Sequence, residues 1–386
     1  MRRPKSGPLL LCAVGLVLGA CGGQSANYIP TQNPNAAPTS ATSVATTTSA
    51  AAAVTPTIDP ALKARSQAVL DDAIRAGAPG CSAAVGSQGK VIWTGVRGVA
   101  NVSIGDVITV DTVFDIGSVS KQFTATAILL LAQAGRLSLD DPLSQHVPSL
   151  PPWAATVTLA QMMHHVSGIP DYLGLLQAQG YSYGDRTTQE QALQVLTTVP
   201  RLEFPPGTRF EYSNSNYLLL ADIVGRVSGQ PLPQFLRAQV FGPLGLAMVM
   251  DPVAKIPAKA VSYTKNDHGY EVADSPWEQI GDGAVQTTPS QLVRWADNYR
   301  TGQVGGPKLL DAQLAGAVET ERGSADRYGA GIYVMGNGTL DHDGSWAGFV
   351  TAFRISKDRL KSLAVSCNTD KQDPNALADA LGGLWM

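Results

Sequence analysis

The chain of 386 residues has few aromatic side chains (6%) and few charged ones (15%), and only four cysteines and five histidines. Basic residues total 28 against 31 acidic ones, a formal charge of −3, so there is no cationic excess to neutralise phosphates and nothing points to nucleic acid. Long apolar runs are missing too. The longest N-terminal one, twelve residues from Leu9 to Ala20, falls short of the roughly 20 that a membrane-spanning helix needs. His164 and His165 are adjacent and point to different sides of any regular element, with no cysteine or carboxylate at ligand spacing, so we expect no metal site and no cofactor. Between Gly22 and Ile58 there is no charged residue at all, only Ala, Thr, Ser, Pro, Asn and a few others. Such a composition cannot bury a core and reads as a disordered linker over residues 22–58. No internal repeat is evident.

What is present begins with Arg2, Arg3 and Lys5 ahead of the apolar run, the pattern of a secretory signal. Leu18-Gly19-Ala20-Cys21 resembles a bacterial lipobox, which implies cleavage before Cys21, lipidation of its thiol, and a protein held on the cell membrane facing outside the cytoplasm. The linker then spans about 35 Å as a coil and about 115 Å if extended. Removing the three basic residues of the signal takes the charge from −3 to −6. The remaining stretch, 59–386, is long enough for two subdomains around a cleft.

Asp59-Pro60 starts a helix with Gly77 as its stop, and Cys81 to Gly86 and Val91 to Val96 read as a β-hairpin. From about 137 to 281 helical patterns and Pro/Gly loops dominate, with a capping box at Thr187 to Glu190 and a helix over Ser213 to Ser228 ended by Gly229. Strand character returns in Gly331 to Val334, Phe349 to Ile355 and Ser362 to Cys367, before a helix begun by Asp373-Pro374. The expected fold class is therefore α+β: a sheet built from both chain ends, flanked by helices, with a mostly helical insert and the cleft where the two meet.

Ser-x-x-Lys occurs three times, at Ser87, Ser118 and Ser262. Only Ser118 is followed by apolar residues at helical spacing (Phe123, Ala127, Leu130, Leu131, Ala134), which places it on a helix's first turn with Lys121 on the same face. Ser118 alone could be an N-cap. The turn Pro205-Pro206-Gly207 delivers Tyr212 and Asn214 ahead of another apolar helix. Tyr212 could exchange a proton with Ser118 if Lys121 lowers its pKa, and the Asn214 amide could bind a carbonyl; the alternative is that Tyr212 packs and Asn214 caps. A Gly-x-Ser-x-Gly at Gly180 to Gly184 lacks the strand and helix of a nucleophile elbow and reads as a loop.

Ser118-x-x-Lys121, Tyr212-x-Asn214 and His342-x-Gly344, in that order, resemble the three motifs of the serine β-lactamase and penicillin-binding-protein superfamily, in its class C-like branch. Further matches include His165 to Tyr172, Phe241 to Leu246 and Gly281-Asp282-Gly283. The resemblance implies an antiparallel sheet flanked by helices plus a helical domain. It also implies an acyl-enzyme on Ser118, proton work shared by Lys121 and Tyr212, an oxyanion hole from the backbone N–H groups of Ser118 and Ser345, and substrate contacts from Asn214, His342, Gly344 and Ser345. His342 departs from the lysine of family lactamases, and relatives with histidine there include esterases and peptidases of D-residues. The activity this implies is hydrolysis of an ester or amide of a small molecule or cell-wall peptide, with weak β-lactamase action at most. The rivals are a D,D-carboxypeptidase and a lipoprotein that binds cell-wall peptide without turnover. Arg300-Thr301-Gly302 reads as a helix end rather than the third motif, and Asp341 and Asp343 as solvated loop carboxylates. Cys81 and Cys367 remain as an even pair, and because the family's first and last strands are antiparallel neighbours, they can form a disulfide.

Overall fold

The computed structural model describes residues 58–386; the leader, Cys21 and nearly all of the linker lie outside the described residues. Helix α1 (Pro60–Ala73) starts where Asp59 accepts the Ala61 N–H and Pro60 supplies a preset φ. Eight strands form one antiparallel sheet: β1 (Cys81–Ser87), β2 (Lys90–Arg97), β3 (Val318–Glu319), β4 (Arg327–Tyr328), β5 (Tyr333–Val334), β6 (Leu340–Trp346), β7 (Phe349–Ile355) and β8 (Lys361–Cys367). Their spatial order is β3-β4-β5-β6-β7-β8-β1-β2, so the two chain ends meet at the β8/β1 pair.

That pair is buried on both faces, and its side chains alternate between two layers. Cys81, Ala83 and Val85 join Leu70 of α1, Ile74 just past its end, and Leu377 and Leu381 of α5 (Pro374–Trp385). Ala84 instead faces the larger core of α2 (Lys121–Gln133), α3 (Asn214–Ser228) and α4 (Pro289–Ala296). Cys81 stands directly opposite Cys367 with Cα atoms 4.0 Å apart, and a disulfide joins them. By chain entropy a loop this long is worth about 5 kcal/mol, although native strain can reduce the gain.

Between α2 and α4 helices and loops predominate over strands, as expected, with short helices at Leu143–His146, Leu159–Met163, Tyr172–Ala178, Gln189–Thr197 and Leu232–Leu236 besides α3. The region also holds a short hairpin, Tyr263–Asn266 with Gly269–Val272. The capping box falls one residue later than expected, on Thr188 and Gln191. Thr187 is already committed, bridging to Trp277 with its hydroxyl on Gln279. Helix α3 ends as read, with Gly229 at φ +77°. Strand β6 was not anticipated, because the glycine and charges of Leu340–Trp346 mask its alternation. Asp341 is accordingly no loop carboxylate: it pairs at 2.9 Å with Arg354, opposite it on β7, and burial pushes its pKa up to about 6. Among the described residues no helix is long and apolar enough to cross a membrane.

Candidate active site

Ser118 lies not on the first α-helical turn but on a 3₁₀ turn, Gly117–Ser120, that feeds α2. Asp115 shapes the turn by accepting the Gly117 N–H at 2.8 Å. Gly117 has φ +51°, and a Cβ there would lie 2.6 Å from the Ser345 nitrogen; one on Gly344 would lie 2.0 Å from the Ile116 oxygen. Two glycines thus let β6 lie flush against the serine turn, which brings the Ser345 backbone beside Ser118. On the other side Ser120 accepts the Val285 N–H and Thr124 donates to the Gly281 carbonyl, which docks the loop carrying Asp282.

Lys121 is fully buried. Its Nζ lies 3.0 Å from Ser118 Oγ, 2.8 Å from Asn214 Oδ1 and 2.6 Å from the Asp282 carbonyl oxygen. The last two groups can only accept, so a neutral amine gives them its two hydrogens and turns its lone pair to the serine hydroxyl. Burial favours that neutral form and lowers the pKa from 10.5 to about 8, against the opposing pull of Asp282, Asp171 and Asp343.

Tyr212 stands with its ring 4.8 Å from Nζ, and its hydroxyl is buried with no hydrogen-bond partner among the described residues. Burial raises its pKa well above the ordinary value, opposed by the approach of the Ser118 hydroxyl. The condition set for Tyr212 as a base, a lowered pKa, is therefore not met, and Tyr212 is a neutral phenol. Beneath it His165, at φ +56°, stacks at 4.2 Å. His165 Nδ1 accepts from the Ser213 N–H, and burial keeps the ring neutral.

Asn214 does not cap α3; it is the first helical residue, and Ser213 at the cap position makes no side-chain cap bond. Asp171 takes over, accepting both the Asn214 backbone N–H and its Nδ2 at 2.8 Å, which turns Oδ1 toward Lys121. Neither Asp171 nor Asp282 carries a sequence signal of its role; a carboxylate three residues after Ser167-Gly168 shows nothing of its target in α3.

Along β6 the strand period separates the third motif. Ser345 is exposed and, with Trp346, lines the cavity at Ser118; His342 and Gly344 face inward. The expectation that His342 contacts substrate is not met: it is 1% exposed and does not line the cavity. Its Nδ1 donates to the Asp343 carbonyl at 2.6 Å, so its Nε2 accepts from the Tyr328 hydroxyl at 3.0 Å. Burial lowers its pKa to about 4, leaving it neutral. Gly344 is likewise a spacer rather than a contact. Arg300-Thr301-Gly302 is the end of a short helix, with Gly302 at φ +59°.

The cavity, about 110 Å³, is lined by Ser118, Tyr212, Asn214 and Ser345 together with Tyr172, Trp277, Asp282 and Trp346. The loop at Gly180 to Gly184 packs behind two of these walls: Trp277 Nε1 donates to the Ser182 carbonyl, and Tyr183 packs on Trp277 and Trp346. Among the described residues no group of three or more His, Cys, Asp or Glu side chains could hold a metal ion.

The chain is 24% identical to penicillin-binding protein 4* of Bacillus subtilis (strain 168), over 73% of this chain and 66% of that one. It is 26% identical to a D-aminopeptidase of Cereibacter sphaeroides (strain ATCC 17029 / ATH 2.4.9), over 79% and 60% respectively. The chain thus spans less than two thirds of the length of these curated relatives. The crystal structure of a D-amino acid amidase from Ochrobactrum anthropi SV3 superposes with a TM-score of 0.73 at 24% identity, covering 84% of this chain and 98% of that one, which bears on the fold. The Beta-lactamase family model matches residues 57–383, and with a Ser-x-x-Lys turn, a Tyr-x-Asn loop and an inner strand converging on one cavity, the chain belongs to that family.

Proposed function

We propose that the protein is a serine hydrolase that forms an acyl-enzyme on Ser118 from an ester or amide. The observation that carries this is the buried Lys121, whose two obligate acceptors leave its lone pair for the serine. Lys121 takes the Ser118 proton as Oγ bonds to the carbonyl carbon, and the oxyanion is held by the backbone N–H groups of Ser118 and Ser345. As the C–O or C–N bond breaks, the neutral Tyr212 phenol relays a proton to the leaving group and recovers one from Lys121. Water then attacks the acyl carbon with the same amine as base, the C–Oγ bond breaks to release the acid, and Ser118 Oγ recovers its proton from Lys121. Because His342 is neutral and lies behind the cleft wall, it offers no cation to a substrate carboxylate, and β-lactam turnover is weak.

Export and anchoring through Cys21 complete the reading, and Cys21→Ala moves the protein from the membrane fraction to the soluble one. The deciding experiment combines a fluorophosphonate probe, read by mass spectrometry, with turnover of p-nitrophenyl acetate, nitrocefin and D-amino-acid amides. Label on Ser118 with ester or amide turnover supports the proposal. Label elsewhere refutes it, and label on Ser118 without turnover of any substrate favours a binding lipoprotein.

A further inference from the structure

The charges that line the cavity point to a substrate class. Among the described residues no Lys, Arg or His side chain lines it, whereas two carboxylates do, Asp115 and Asp282. Asp115 is committed, with one oxygen on the Gly117 N–H and the other on Gln286 Nε2. Asp282 is not. Its Oδ2 accepts the Tyr172 hydroxyl at 3.0 Å, while its Oδ1 accepts no hydrogen bond from the described residues. The Asp282 carbonyl touches Lys121 Nζ, which touches Ser118 Oγ, so this carboxylate belongs to the residue next to the catalytic base. Around it stand the aromatic walls Tyr172, Trp277 and Trp346, the two indoles 5.8 Å apart. A carboxylate with a free oxygen beside aromatic faces suits an ammonium group.

The neighbouring groove has the same sign. About 390 Å³ in volume, it shares Ser345 and Trp346 with the cavity and, among the described residues, is lined by Asp274 and Asp370 and by no basic residue; Lys371 lies 3.9 Å from Asp370. Ser275 in its wall is 8% exposed, and its hydroxyl is buried without a partner among the described residues. A leaving group bearing a carboxylate would therefore meet like charge.

We infer that the cleft selects substrates with a protonated primary amine beside the scissile carbonyl, with Asp282 as its counter-charge. This rests on the acyl-enzyme reading above and names its substrate class. The test measures competition against p-nitrophenyl acetate turnover, and protection of Ser118 from fluorophosphonate, by D- and L-alaninamide and their N-acetylated forms, in wild type and Asp282→Asn. The asparagine keeps the acceptor for Tyr172. In wild type the better free-amine enantiomer competes at least about tenfold more strongly than its acetylated form, and in Asp282→Asn that ratio falls to within about threefold. A wild-type ratio near or below one overturns the inference, as does a ratio unchanged in the variant; Asp282→Ser serves if the asparagine variant does not fold. Absence of any Ser118 labelling in wild type would instead defeat the acyl-enzyme reading, whereas labelling that both amides block equally defeats only this inference.

Discussion

Ser118–Lys121 and Ser262–Lys265 carry the same residues at the same spacing in one molecule, and their surroundings differ in every respect that matters for chemistry. Lys121 begins an α-helix, is fully buried and reaches Ser118 Oγ at 3.0 Å. Ser262 precedes the short strand Tyr263–Asn266; its hydroxyl donates to the Ala273 carbonyl, while Lys265 is exposed and lies 5.7 Å from the Tyr270 ring. Ser87 and Lys90 form a third version, opposed across the β1/β2 turn with Lys90 in solvent. A helix brings residues three apart onto one face, whereas a strand sends them to opposite faces. The amine becomes a base through burial and through two acceptors that use up its hydrogens, so spacing alone activates nothing.

The comparison breaks most sharply at the nucleophile: Ser118→Ala should lower turnover of a chromogenic ester by roughly four orders of magnitude, about 5.5 kcal/mol in the barrier. Next, Lys121→Ala and Tyr212→Phe should each cost about two orders of magnitude in kcat/KM, on the order of 3 kcal/mol. Rates like wild type in either variant would remove that residue from the proton path.

The pH profile separates the amine from the imidazole. Since the reactive form is neutral Lys121, kcat/KM rises with pH and levels off above a pKa of about 8, so activity at pH 7 is about tenfold below the plateau. His342, held neutral down to about 4, contributes no limb near 6.5. A profile flat above pH 6 would refute the Lys121 assignment. A smaller effect, about threefold to tenfold, is expected for Asp171→Asn, which loosens the Asn214 amide; because Asp171 raises the Lys121 pKa, the limb should also move below its wild-type position. Smallest of all, Ser262→Ala and Ser87→Ala should stay within about twofold of wild type; a larger loss at either would mean that spacing counts for more than surroundings.

How much of this could be read from the chain varies with how local the cause is. The Asp59-Pro60 start of α1, the Gly229 stop of α3 and the apolar face behind Ser118 are local signals, and each element lies where those signals put it. The capping box slipped by one residue because Thr187 answers to Trp277 and Gln279, about ninety residues away. His342 was read as a substrate contact because a motif gives order but not the face of a strand. Once β6 is laid against the serine turn, alternation hands the cavity to Ser345 and sends His342 to Tyr328.

The sequence by itself determined which serine is followed by a helix and that a helical segment separates strand-like runs near both ends of the chain. Those follow from periodicity and turn chemistry, which act over a few residues; that Cys81 and Cys367 stand on neighbouring strands was implied by the family resemblance and shown by the register of β1 and β8. Only the tertiary structure decided the electrostatics: Lys121 has its lowered pKa because α2 is buried beneath the Asp282 loop, and Tyr212 stays a phenol because His165 and Tyr328 wall it in. The cost of desolvating a charge depends on everything packed around it, and that is set by segments far apart in the chain.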